Sequence, residues 1–239
     1  EGHKYTDFKL AHRDRQNVIL VGANDGMLHA FDSENGDELW AFIPSQSLKN
    51  MHLLADPGYG HQNFVDSTPT VRDIYTNGSW KTVAVGGLRL GGQGFYALDI
   101  TNPTQPSVLW EYTDADDPDM GYSYGEAFVA RLKNDKWVAL LPNGYNSVEL
   151  NDKNGNLDLN VGSGASVMFM VDMSNGQVLE KFSSGNGSFV QTNGMATAAV
   201  SDVPYDITAD VAYFGDLRGD LYRVDLTDSS YTMDKMVSA

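Results

Sequence analysis

Four times along this chain an aromatic residue or histidine, any residue, an apolar residue and an aspartate follow one another: HAFD ending at Asp32, YALD at Asp99, FMVD at Asp172 and YRVD at Asp225. An internal repeat constrains a fold more than any single motif does. Each copy is one supersecondary unit that cannot bury its apolar face alone, so the copies must stack. The spacing between copies is unequal, so the repeat carries insertions.

Upstream of each aspartate lies an apolar run ending in a Gly or Asn turn: NVILVGANDG, KTVAVGGLRLGG, KWVALLPNGYN and DVAYFGDLRGD. Downstream lies a second run, ELWAF, SVLWEY, QVLEKF and, much weaker, YTMDKM. Three copies also have a preceding run, STPTVRDI, YGEAFVARL and GMATAAVSDV, which makes four strands per unit. The first copy shows no such partner. Runs Val18 to Val21, Val138 to Leu141 and Val211 to Phe214 do not alternate with polar residues, so both faces of those strands are expected to be covered.

Four-stranded antiparallel units that bury their faces against one another form a β-propeller. The expectation is therefore an all-β, propeller-type domain over residues 1–239 with four recognisable blade units. They are either part of a larger propeller or a small closed ring, with a Greek-key sandwich as the alternative. The chain does not begin with Met, which reads as a piece of something longer. One helix is predicted in SQSLKNMHLLADPG, capped by Ser45 or Ser47 and stopped by Pro57 and Gly58.

The repeated aspartates have a structural role open to them, accepting hydrogen bonds from the backbone of the turn that follows. Trp40 and Trp110 read as residues that pack blade on blade. Asp25 in the Asn24-Asp25-Gly26 turn reads as part of a hairpin connection.

The net charge of −16 repels phosphate backbones and anionic headgroups, which argues against nucleic acid as a partner. No apolar run is long enough to cross a bilayer as a helix, so membrane insertion is not expected. With no cysteine, disulfides and thiolate metal sites are excluded, and the redox compartment cannot be read.

VGANDGMLHAFD with ELWAFIPS, then FVDSTPTV, VGGLRLGGQGFYALDIT, LPNGYNS and FGDLRGDLYRVDL occur in an order that resembles the C-terminal propeller of the PilC/PilY family of type IV pilus tip proteins. The resemblance covers about Asn17 to Leu226. It implies an exported protein of the cell surface, pilus tip or outer membrane. It also implies roles in pilus assembly, in control of retraction and in surface attachment, with pilus proteins or host and abiotic surface ligands as partners.

The most informative polar spacing is SDVPYDITADVAYFGD. Asp202, Asp206 and Asp210 stand at positions one, five and nine of a hairpin loop, and Thr208 at position seven offers its carbonyl. Calcium takes six to eight oxygen ligands, which such alternate positions can supply. The resemblance implies a calcium loop of pattern DxNxDxxxD here. The match is partial, because position three is Pro204 and Ile207 stands where calcium loops usually carry Gly. A solvated, metal-free hairpin accounts for the same residues. If calcium binds, its expected role is to order the loop and make the nearby surface responsive to metal.

A second, weaker candidate is LNDKNGNLDLN, where Asp152, Asn154, Asn156 and Asp158 alternate around Gly155. A disordered, turn-rich loop has the same composition. The run DADDPDMG, from Asp114 to Gly121, reads as a solvated loop, and His29, His52 and His61 lack the spacing of zinc ligands.

No nucleophile elbow or phosphate loop is present, and the expectation is a non-enzymatic binding domain. Two alternatives are a quinone-dependent dehydrogenase-like propeller and a metal-free scaffold propeller for protein interactions.

Overall fold

A computed structural model of the chain describes residues 2–145, 147, 161–203 and 206–238. Helix α1 (Gly2–Ala11) precedes a three-stranded sheet of β1 (Val18–Gly22), β2 (Leu28–Asp32) and β3 (Glu38–Phe42). A short helix α2 (Ser45–Leu48) and a 3-10 turn (Met51–Ala55) lead into the second sheet. That sheet holds β4 (Thr70–Thr76), β5 (Ser79–Gly87), β6 (Gly94–Asp99) and β7 (Ser107–Thr113). The third holds β8 (Phe128–Arg131), β9 (Trp137–Pro142), β10 (Ala165–Asp172) and β11 (Val178–Gly187). The fourth holds β12 (Ala199–Ser201), β13 (Val211–Gly215), β14 (Leu221–Asp225) and β15 (Thr232–Val237).

Every sheet is antiparallel and runs in sequence order, so each is one blade of a β-propeller. The repeat anchors fall at equivalent register: Val18 pairs with Asp32, Val83 with Asp99, Val138 with Asp172 and Val211 with Asp225.

Period-two alternation along the strands decides where the core lies. In β5, Val83 and Val85 pack toward the third sheet, and Ala84 between them packs toward the first. In β9, Ala139 and Leu141 face the second sheet, and Val138 and Leu140 face the fourth. Three apolar layers result, one in each gap between neighbouring sheets.

The expectation of two covered faces holds for Val138 to Leu141, all of them buried. It fails for the outer runs. Ile19 and Val21 in β1 are 51% and 44% exposed, and Tyr213 in β13 is 37% exposed. Each of these strands belongs to a sheet at one end of the stack, with a neighbour on one side among the described residues.

The anchor aspartates act as turn formers. Their Oδ1 atoms accept backbone N–H bonds from two residues on: Glu34 to Asp32 at 2.8 Å, Thr101 to Asp99 at 3.0 Å, Ser174 to Asp172 at 2.8 Å and Thr227 to Asp225 at 3.0 Å. Each Oδ2 meets a second group on its own blade: Gln16 at 2.6 Å, Lys81, Lys136 at 3.6 Å and Arg223 at 3.1 Å respectively. Burial opposes ionisation of Asp99, but the Lys81 ammonium and the Thr101 donors outweigh it and hold its pKa below the ordinary value.

The tryptophans join blades. Trp40 Nε1 donates to the Pro103 carbonyl at 2.7 Å, and Trp110 Nε1 donates to the Met173 carbonyl at 3.3 Å. In both cases the acceptor lies in the turn after the next blade's anchor. Gly176 in that second turn has φ +77°, and a Cβ there would sit 2.7 Å from Trp110 Cβ. Glycine is needed both for the backbone angle and for the indole's approach.

The predicted helix after β3 is cut short. The residue before its first turn is Pro44, so neither Ser45 nor Ser47 caps it. Ser45 instead donates its N–H and hydroxyl to Glu111 of the second blade at 2.8 and 2.5 Å. Leu48 is 63% exposed. Contacts to the neighbouring blade override local helix propensity, and the chain continues as a 3-10 turn whose Met51 lies over Gly26 of the β1–β2 hairpin.

Helix α1, which carries no apolar stripe in the sequence, is held by contacts at the β4–β5 hairpin: Tyr5 packs on Trp80, with ring centroids 4.4 Å apart, and donates to Asp73 at 3.0 Å.

Replacing Trp110 should therefore destabilise the whole stack. The expected loss for Trp110→Ala is about 3–5 kcal/mol in urea denaturation. For Trp110→Phe, which keeps most of the packing and loses the Nε1 bond, it is about 1 kcal/mol. Equal losses in the two variants would refute the indole's place as a filler of the blade gap.

Candidate functional site

The loop between β12 and β13 carries the first set of candidate ligands. Asp202 accepts at both oxygens from the loop's own backbone, from Asp206 N at 2.9 Å and Ile207 N at 2.9 Å. Those bonds fold the segment back on itself, with Ile207 at φ +72°, a left-handed angle costly for a β-branched residue. Calcium loops usually place glycine at that position.

Asp206 Oδ1 accepts from Thr208 N at 3.0 Å and from the Thr208 hydroxyl. Asp210 Oδ2 accepts from Val203 N at 2.6 Å. The two remaining oxygens converge on one cation from outside the loop, which the spacing of the acids does not reveal. Lys133, in the β8–β9 hairpin of the third blade, places Nζ 3.1 Å from Asp206 Oδ2 and 2.9 Å from Asp210 Oδ1.

The electrostatics follow from those contacts. The Thr208 hydroxyl, followed by the Lys133 ammonium, holds Asp206 down to about 2. Asp210 and then Asp206 raise the Lys133 pKa.

Two of the expected ligands, Asp206 and Asp210, thus share one cation, while Asp202 is turned onto the backbone. Among the described residues no cluster of three or more Asp, Glu or His is placed to hold a metal ion. The loop suits calcium only with Lys133 withdrawn and Asp202 released. Pro204, and the second candidate set Asp152, Asn154, Asn156 and Asp158, lie outside the described residues.

Other acids are also paired. The run DADDPDMG, expected to be a solvated loop, is an ion-paired strap. Lys181 of β11 reaches Asp117 at 2.8 and 2.7 Å and Asp119 at 2.9 Å, and Ser163 N donates to Asp119 at 2.5 Å. Burial works against ionising Asp119, yet Lys181 and Ser163 keep its pKa below the ordinary value.

A buried polar network occupies the β13–β14 turn. Asp216 Oδ2 accepts from Asn193 at 2.7 Å, Tyr222 OH at 3.1 Å and Ser166 at 3.2 Å. Asp220 accepts from Asn186 at 2.9 Å and pairs with Lys235 at 2.6 Å. Asn143 joins the third and fourth blades, its Oδ1 accepting from Val167 N at 3.0 Å and Met195 N at 2.9 Å. Asn143 and Asn193 each precede a glycine, but Asn-Gly occurs seven times in the sequence, mostly as turn signals, so the pair alone does not mark these two. A Cβ on Gly194 would lie 1.5 Å from the Gly144 carbonyl oxygen.

His29 is not isolated either. Its Nδ1 lies 2.8 Å from Glu38 Oε1 and its Nε2 2.9 Å from Asp25 Oδ2. Both nitrogens can donate only in the imidazolium form. The Glu38 bond, assisted by Asp25 and opposed by burial, raises its pKa above the ordinary value.

The family model of the PilY1 beta-propeller domain matches residues 1–238. The type IV pilus biogenesis factor PilY1 of Pseudomonas aeruginosa PAO1 is 40% identical over 233 residues, covering 96% of this chain and 19% of that protein. A PilY1 homolog of Xylella fastidiosa is 37% identical over 220 residues, covering 87% of this chain and 14% of the homolog. The crystal structure of the Pseudomonas aeruginosa PilY1 C-terminal domain superposes with a TM-score of 0.75 at 37% identity, over 93% of this chain and 41% of that one.

The raised His29 pKa has a sign that can be tested. A group bound more tightly as its protonated form stabilises the fold fully below its unfolded pKa of about 6.5, and that contribution is lost as pH rises through the folded value. Titration of the ring followed by NMR should give a pKa above 6.5. In Asp25→Asn with Glu38→Gln it should fall back toward the ordinary value, and an unchanged titration would refute the double pairing.

Proposed function

The chain belongs to the PilY1 β-propeller family of type IV pilus biogenesis factors, and from that premise we propose that it serves pilus biogenesis at the cell surface as a binding platform. The single observation that carries this reading is the 40% identity to PilY1 over 96% of the chain. The blade stack supports it by offering a packed scaffold that holds its loops and end faces at the surface. Pilus components are its partners in this reading, with control of retraction, twitching and attachment to host or abiotic surfaces as the finer roles. Its place would be the pilus tip or the outer membrane. No helix among the described residues is long and apolar enough to cross a membrane.

The chain spans less than a fifth of the length of the PilY1 proteins it matches. The domain acts by binding in this reading, in place of catalysis. Calcium at Asp202, Asp206, Thr208 and Asp210 is the finer part of it, supported by the single positive charge that Asp206 and Asp210 already hold between them. A ligand that binds only the folded state raises its stability. Calcium seated there would order the blade-four loop and the surface around it.

Deleting the coding sequence of this propeller should abolish or strongly reduce surface pili and twitching; wild-type piliation and motility in that strain would end the proposal. Reconstitution of the domain with calcium and a quinone cofactor should give no dye-linked alcohol oxidation. Sustained turnover would instead support a dehydrogenase. For the metal, calcium in place of a chelator should raise Tm in the wild type and leave Asp206→Ala unmoved.

A further inference from the structure

All six carboxylate oxygens of Asp202, Asp206 and Asp210 have a protein partner. The loop's own groups, Asp206 N, Ile207 N, Thr208 and Val203 N, take four of them. Lys133 takes the remaining two. Three acids crowded in so short a segment would repel one another, and the usual remedies are protonation or a bound cation. Here the cation is covalently part of the chain.

Its approach is fixed by the hairpin that carries it. The β8–β9 turn closes with Leu132 N donating to Lys136 O at 2.8 Å and Asp135 N to Leu132 O at 3.0 Å. Asp135 stands at φ +67°, and its carboxylate takes the Arg131 guanidinium at 2.6 Å. The backbone at Arg131 also reaches the loop, its carbonyl accepting from Ala209 N at 2.7 Å. Lys133 thus enters from a turn already docked on the loop. Its neighbour Lys136 lies elsewhere, 3.6 Å from Asp172 and half exposed.

We propose that Lys133 is the resident cation of the blade-four loop: it closes the loop and staples the third blade to the fourth without metal, and a calcium ion gains Asp206 and Asp210 only by displacing it. The second clause rests on the calcium reading given above; the first does not. A tethered ammonium competes at the effective concentration set by its short connection, in the millimolar range or above. A calcium site with few converging ligands binds weakly. Lys133, more than the count of acids, then decides whether this loop responds to calcium.

The test compares the wild type with Lys133→Met, which keeps the length of the side chain and removes its charge, and with Lys136→Met as a control in the same hairpin. In a chelator, Lys133→Met should lower Tm by about 2 to 4 °C and speed hydrogen exchange at the Ile207 and Thr208 amides, while Lys136→Met does neither. In calorimetric titrations, Lys133→Met should bind calcium at least tenfold more tightly than the wild type, and adding Asp206→Asn should remove that gain. Unchanged melting and exchange in Lys133→Met would overturn the resident-cation inference. Equal calcium affinity in wild type and Lys133→Met would overturn the competition and leave the calcium reading standing. Loss of melting and exchange protection with no calcium uptake by either protein would uphold the staple and remove calcium from the loop.

Discussion

The burial of one sheet's apolar face by the next is the interaction on which the rest of this structure depends. A single antiparallel blade with an apolar strand such as VAVGG or WVALLP cannot hide both of its faces in water. Stacked blades can, and the alternation of Val83, Ala84 and Val85 between two neighbouring layers makes each inner sheet a shared wall. Turns and caps occupy the rims of that stack. Trp40 and Trp110 belong to both regimes, since their rings fill a gap between blades while their N–H groups tie one blade to the next blade's turn.

This arrangement explains which parts of the fold were legible in the sequence. The anchor aspartates were legible because their partners are two residues away: an Asx turn is a local device, and the same residue spacing builds it four times. The tryptophans were legible because large aromatics at repeated positions have few other uses. The exposure of Ile19 and Val21 was not, because an apolar run looks the same whether one neighbour covers it or two. Helix α1 escaped notice for a related reason. Tyr5 and Phe8 pack around the distant Trp80, and nothing near them in the sequence announces that partner.

The acidic loops show the same limit in electrostatic form. Counting carboxylates at Asp202, Asp206 and Asp210 found the right segment, and Asp117 and Asp119 were visible as a charged run. What the count could not supply was the occupancy of their oxygens. In both places the answer is a lysine from another strand or hairpin, Lys133 or Lys181, more than sixty residues away along the chain. A loop that looks like a vacant ligand set can already be saturated by its own backbone and one remote ammonium. The reverse holds for Asn143 and Asn193, whose modest side chains sit fully buried between blades.

Strand β1 pairs with β2 on one side and with no strand on the other among the described residues. An unpaired edge of that kind, flanked by exposed Ile19 and Val21, is a template on which extended segments assemble. At a net charge of −16 two such molecules repel one another, and that repulsion weakens as the pH falls toward an isoelectric point of about 4.4.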